Sequence, residues 1–268
     1  MEIGDPEAGG WRPPDLAARG IRRNEPEPGS DGLRLDRAEL EAAVQEGRNL
    51  SGAYLRRAQL AGCNLSGARL SKADLVEADL TGAFLDGADL TWAKLHRATL
   101  TGAKLNGVYL TGAELDGVNL TMSELNGAKL MGAELNGADL TNARMDGAVL
   151  TWAKLHGAKL TGARLEGSKL SEAELHGVDL TGACLIKAIL DKANLGGANL
   201  SRSDLRGAIL SDVNLKMSDL TGSNLSWAYL RRSDLNGADL TGANLTGADL
   251  TGADLTGADV RAAIGYKP

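Results

Sequence analysis

The chain has 268 residues, a formal charge of −6, 43% hydrophobic residues, 35 glycines and only 3% aromatic residues. Any core it builds is therefore narrow and filled by Leu and Ala. Residues 1–50 hold 11 acids against 7 arginines and so carry −4 of the −6, leaving −2 for all that follows, which excludes the strongly basic stripe that nucleic-acid binding requires.

In chain order, the opening MEIGDPEAGG places acids where a signal peptide needs positive charge and offers no apolar run. No stretch reaches the ~18–20 consecutive apolar residues of a membrane span, and cysteines occur only at Cys63 and Cys184. The expectation is a reduced, cytoplasmic protein that engages neither membrane nor nucleic acid directly. Residues 1–32 are rich in Pro, Gly and charge with no apolar periodicity, and their composition predicts a disordered tail.

Residues 33–50 read as a capping helix and its lead-in, the helix spanning 36–47. Asp36 stands at the N-cap, Glu39 three positions on as in a capping box, Leu35 and Leu40 as a hydrophobic staple, and Gly47 at C′. Leu40, Ala43 and Val44 give it one apolar face.

From residue 51 to 262 every fifth residue is Leu, from Leu55 to Leu255, with Met145 and then Val260 departing from the rule. Two positions before each stands a small residue, mostly Ala. On an α-helix five residues advance ~500°, so the leucines would scatter around the cylinder. In extended chain the small residue and the Leu point the same way and the residue between them points out. Pairs such as Thr81-Gly82, Asp86-Gly87 and Asn106-Gly107 are turn formers that bend the chain at a corner. Each unit is one short side and one corner.

Segments such as Ala88-Asp89-Leu90-Thr91 and Ala238-Asp239-Leu240-Thr241-Gly242 resemble the motif of the pentapeptide-repeat family. The resemblance implies an all-β fold, a right-handed quadrilateral β-helix with four units per coil. It also implies about ten coils and, at ~4.8 Å per coil, a rod ~50 Å long whose residues twenty apart stack in columns. The interior is filled, so function belongs to the outer faces.

Three features of those columns bear on function. One corner carries Thr81, Thr101, Thr121, Thr141, Thr161, Thr181, Ser201, Thr221 and Thr241, hydroxyls expected to satisfy corner backbone groups. An acidic column runs Asp79, Asn119, Asp139, Asp179, Asn199, Asp219, Asp239, Asp259, broken by Gln59, Thr99 and Lys159. The third is a departure: where Asp or Asn should precede Leu, one face has Val149, Ile189, Ile209 and Tyr229, with Cys184, Ile186 and Trp227 around the adjoining corner. Val149, Ile186, Ile189, Ile209, Trp227 and Tyr229 form the expected partner-binding surface.

The resemblance also implies an alternative, an acidic rod that mimics DNA and protects a type II topoisomerase such as gyrase, on an acidic face of Asp219, Asp234, Asp239, Asp249, Asp254 and Asp259. Duplex DNA presents one charge per ~1.7 Å, so a ~50 Å rod would face ~30 charges. The repeat region's net −2 weighs against it. Lys94, Lys104, Lys129, Arg144, Lys154, Lys159, Arg164 and Lys169 make its middle mixed or basic.

Trp92 and Trp152 recur in near-identical segments sixty residues apart, which points to internal duplication. His96, His156 and His176 share one column without the ligand count of a metal site. No phosphate-cradling loop, zinc motif or nucleophile elbow is present. No enzyme activity, cofactor or metal is expected, and a protein partner or self-association is. For the tail, residues 263–268, Ile264 and Tyr266 are expected to fold over the last Leu layer, or two molecules to stack as a homodimer through the C-terminal coil.

Overall fold

The computed structural model describes residues 37–266. The tail read over 1–32, the Leu35 staple and the Asp36 cap lie outside them. Helix α1 spans Arg37–Gln45. It stops short of Gly47 because that residue takes φ +68°, with Gly47 N–H bonded to Val44 O and Arg48 N–H to Ala43 O, both 2.9 Å. These are the paired bonds of a Schellman motif. Leu40 and Ala43 are fully buried. The opposite edge is tied to the coil: Arg37 donates to Ala61 O (2.9 Å) and Gly62 O (3.1 Å), and Glu41 accepts from Asn64 N–H (2.9 Å). That backbone donor, with Cys63 next to it, holds the Glu41 carboxyl below its ordinary pKa.

Beyond α1 every fifth residue forms a parallel bridge to the residue twenty positions on, from Asn49↔Arg69 to Asn244↔Ile264. Four units therefore complete one coil. The unit Asp79–Ala83 shows why the period holds. Asp79 N–H donates to Ala58 O of the preceding coil (2.9 Å), while Leu80 N–H and Gly82 N–H donate to Thr99 O (2.7 Å) and Thr101 O (2.9 Å) of the next. Ala83 N–H closes the corner on Leu80 O (2.9 Å). With φ +61° at Gly82, this corner has the positive third position of a type II turn.

The fifth donor, Thr81 N–H, has no backbone partner and bonds instead to Asp79 Oδ1 (3.0 Å). The outward Asp or Asn thus completes the unit's donor accounting from outside. Thr121 on Asn119, Thr181 on Asp179 and Thr221 on Asp219 repeat it at 2.9–3.0 Å.

Inside, the leucines from Leu55 to Leu245, with Met145 in one slot, are at most 2% exposed. Leu250, Leu255 and Val260 are only partly buried. Of the two residues expected to fold over them, Tyr266 packs against the core but Ile264 does not. Ile264 N–H is bonded to Ala243 O (2.8 Å) and Ile264 O accepts from Leu245 N–H (2.7 Å), which fixes it in the outward slot, 58% exposed.

Candidate functional site

The outward residues form four columns. Face I runs from Asn64 to Ile264, face II from Asn49 to Asp249, face III from Tyr54 to Asp254 and face IV from Gln59 to Asp259. Face II departs most from the pattern. Between Asp89 and Asp249 its seven rungs are Tyr109, Lys129, Val149, Lys169, Ile189, Ile209 and Tyr229, each bridged to the next.

None of the seven carries a short carboxyl or amide group, so the N–H two residues later loses the acceptor that every Asp or Asn rung supplies. The bounding rungs keep it: Thr91 N–H on Asp89 Oδ1 at 3.0 Å and Thr251 N–H on Asp249 Oδ1 at 3.1 Å. Face I, where Phe84 to Cys184 also lack the group, has a substitute in its corner column. There Asn106 N–H bonds to Asp86 Oδ1 (2.8 Å), Asn126 N–H to Asn106 Oδ1 (3.2 Å) and Asp146 N–H to Asn126 Oδ1 (3.2 Å). Asn136 and His156 do the same beside face III. The corner column following face II holds Thr111, Met131, Thr151, Ser171, Asp191, Ser211 and Arg231, and its one carboxylate, Asp191, accepts from the Ser171 hydroxyl at 3.3 Å.

Ile189, Ile209 and Tyr229 are consecutive rungs. Val149 belongs to the same column but lies two rungs from Ile189, with Lys169 between. The isoleucines and Val149 are half-buried, not exposed as a flat reading of the column suggests, because stacked rungs at strand spacing cover one another. The exposed surface comes from the aromatics: Trp227 at 67%, Tyr229 and Tyr109 at 51% each. Ile186 and Trp227 flank face II at one corner, and Cys184 belongs to face I. Trp227 holds φ +61° in a slot that is usually Gly. Its ring lies over Gly247, 2.5 Å from where a Cβ there would stand.

The acidic residues do not make one face. Asp219, Asp239 and Asp259 stack on face IV, Asp234 and Asp254 on face III, and Asp249 on face II. Three have cationic partners: Lys216–Asp234 (2.9 Å), Arg231–Asp249 (2.5 Å) and Arg261–Asp259 (2.5 Å). The Thr251 hydroxyl and N–H, with Arg231, bring the Asp249 carboxyl down to about 2. The hydroxyl ladder serves the side chains: Thr81 Oγ1 donates to Asp79 Oδ1 (2.6 Å), Thr181 to Asp179 (2.6 Å) and Ser201 to Asn199 (2.7 Å). The backbone acceptors expected for it are already used by the coil.

Two of the column histidines pair across coils, His96 Nε2 with Glu114 Oε2 (2.8 Å) and His156 Nε2 with Glu174 Oε2 (2.6 Å), so the sixty-residue duplication includes this pair as well as the tryptophans. Among the described residues no group of three or more His, Cys, Asp or Glu could hold a metal ion. Burial, then Glu41, pushes the Cys63 thiol up to about 12. A shallow groove of about 480 Å³ lies beside Arg56, Val76, Glu77, His96, Arg97 and Asp116. Its charges balance.

A closed interior of Leu and small residues, with most of the variation on the four stacked faces and their corners, defines a β-solenoid scaffold. The family profile for pentapeptide repeats matches in successive copies between residues 38 and 261. The chain belongs to the pentapeptide-repeat family, and its four-sided coil is a right-handed quadrilateral β-helix. Among solved structures it is similar to HetL, a pentapeptide repeat protein involved in heterocyst differentiation regulation from the cyanobacterium Nostoc sp. strain PCC 7120. The identity is 34% over 84% of this chain and 95% of that chain, with a TM-score of 0.54. Full-length QnrB1, a plasmid-mediated fluoroquinolone resistance protein, is similar at 20% identity over 63% of this chain and 84% of that chain, TM-score 0.41. No curated protein matches the chain. No helix among the described residues is long and apolar enough to cross a membrane.

Proposed function

We propose that the chain is a non-enzymatic scaffold of about ten coils, covered at one end by α1, that binds a protein partner through face II. Ile186, Ile189, Ile209, Trp227 and Tyr229 form the centre of contact and Val149 an outlying point. The observation that carries this is the cost of the face. Each rung without Asp or Asn forfeits a local hydrogen bond worth about 0.5–1.5 kcal/mol. Trp227 in a left-handed corner adds about 1–2 kcal/mol. The half-buried isoleucines return about 1 kcal/mol each, but the exposed rings return little to the fold, and exposed Trp and Tyr beside aliphatic residues are the composition of binding hot spots. Affinity capture from cell extract tests it, comparing the wild type with Ile189→Asp plus Ile209→Asp. Loss of specific partners is expected, and an unchanged set overturns the assignment.

The stacked Asp219, Asp239 and Asp259 favour a second reading, an acidic rod that protects a type II topoisomerase. It has less support because the other acids are spread over two further faces and three of the six are neutralised. A gyrase supercoiling assay with inhibitor decides it, and no protection at micromolar protein removes it. Half-exposed Leu250, Leu255 and Val260 support self-association through the C-terminal coil, which light scattering on the purified chain would detect as a dimer.

A further inference from the structure

Face II is more specific than an apolar patch, because its column also selects for charge. From Tyr109 to Tyr229 it contains no carboxylate, and its only charges are Lys129 and Lys169. Every other face has at least one acid over the same coils: Glu124 on face I, Glu114 on face III, Asp139 on face IV. The column is also graded. Its lower half alternates Tyr109, Lys129, Val149, Lys169, and its upper half is Ile189, Ile209, Tyr229 with Ile186 and Trp227 at the border.

A partner cannot join this face as an added strand, since the ladder is complete there: Ile209 N–H is bonded to Ala188 O (2.9 Å) and Leu210 N–H to Tyr229 O (2.7 Å). Recognition has to come from side chains, and those of one character run along the solenoid axis, not around a coil. Seven rungs at ~4.8 Å span ~29 Å, the length of an α-helix of about 19 residues. Lys129 and Lys169, two rungs or ~9.6 Å apart, match helix positions i and i+7, ~10.5 Å apart. At the borders Glu166 and Asp191 would repel an acidic helix that strayed off the column, whereas Asp146 is neutralised by Arg164 at 3.0 Å. Asp89 would repel it at one end, while Asp249 at the other is neutralised by Arg231 at 2.5 Å.

We infer that face II receives an amphipathic α-helix of acidic character lying along the solenoid axis, its apolar end on Ile189, Ile209, Tyr229 and Trp227 and its carboxylates on Lys129 and Lys169. The inference rests on the assignment of face II as the binding surface and adds the chemistry of the occupant. Side-chain packing supplies the affinity and the two lysines set its direction and charge preference.

The test uses the full chain and three fluorescein-labelled 19-residue helical peptides. One has Leu and Phe on one face of its first half and Glu at i and i+7 in the second. Another carries Lys at those two positions, and the third has a central Pro. Fluorescence anisotropy is read at low and at physiological salt. The Glu peptide is expected to bind at least about tenfold tighter than the Lys peptide and to weaken as salt screens the pair. About tenfold of its affinity should be lost against Lys129→Glu plus Lys169→Glu, and binding should vanish against Ile189→Asp plus Ile209→Asp. Equal binding of the Glu and Lys peptides, an unaffected lysine variant, undiminished binding of the Pro peptide, or no binding at all overturns the acidic-helix inference. If the charge arms fail while the isoleucine variant still abolishes binding, the face II assignment stands and only the occupant is wrong. Should that variant misfold, Ile209→Asn replaces it.

Discussion

Replacing Ile209 by Asn should remove partner binding without destabilising the solenoid. Ile209 is half-buried between Ile189 and Tyr229, so losing it forfeits about half of the ~1.5–3 kcal/mol that full burial gives, or about 1 kcal/mol. Asn at 209 would precede Leu210-Ser211 as Asn199 precedes Leu200-Ser201. In that unit Ser201 N–H and Oγ both donate to Asn199 Oδ1, at 3.0 and 2.7 Å. Restoring those bonds on Ser211 returns about 0.5–1.5 kcal/mol each, so Ile209→Asn should melt at or above the wild-type temperature. Ile209→Ala loses the same burial and gains no acceptor, and about 1 kcal/mol lowers the midpoint by about 2–4 °C in a chain of this size. Thermal unfolding followed by circular dichroism compares the two. If Ile209→Asn melts at or below Ile209→Ala, the outward Asp and Asn do not support the corner and the cost assigned to face II is wrong.

Three further outcomes follow from the same geometry. Trp227→Gly relieves a left-handed non-glycine corner and should raise stability by about 1 kcal/mol in urea unfolding while weakening the partner at least about tenfold. Ser223 Oγ is buried with no hydrogen-bond partner, unlike Ser203, which donates to Leu200 O at 2.6 Å; Ser223→Ala should stabilise by about 1 kcal/mol and Ser203→Ala should not. The Asp249 carboxyl, held at about 2 against an ordinary 3.8 by Thr251 and then Arg231, contributes stability that is complete above about pH 4 and is lost as pH falls toward 2. Carboxyl NMR should give a midpoint near 2, and Thr251→Ala should move it back up.

The fold was legible because one rule repeats. Leu at every fifth position with a small residue two before it is incompatible with a helical face, and its core follows directly, down to the single Met145 slot. Gly47 was readable as the stop signal of α1, although the helix ends two residues before it, at Gln45. The columns could be written out once twenty residues were taken per coil, so Ile189, Ile209 and Tyr229 were visible as neighbours. Their half-burial was not, since it comes from rungs shielding each other across coils. The role of Asp79 and its equivalents was hidden for a related reason. Its acceptor function appears only when the other four donors of the unit are accounted for, and the hydroxyl of Thr81 then turns to the carboxylate and not to the backbone. The separation of Val149 by Lys169 and the scatter of the acids over three faces were contained in the numbering, but grouping by chemistry obscured them. Ile264 was expected to fold over the last Leu layer, whereas its ladder bonds to Ala243 and Leu245 fix it outward.

The most direct measurement of the central claim is site-specific photo-crosslinking in cell extract, with a benzophenone side chain placed at Tyr229 on face II or at Asp179 on face IV. The account predicts a discrete adduct from position 229, lost when Ile209→Asn is added, and none from 179. Equal adducts from both positions, or an adduct from 179 alone, would contradict it.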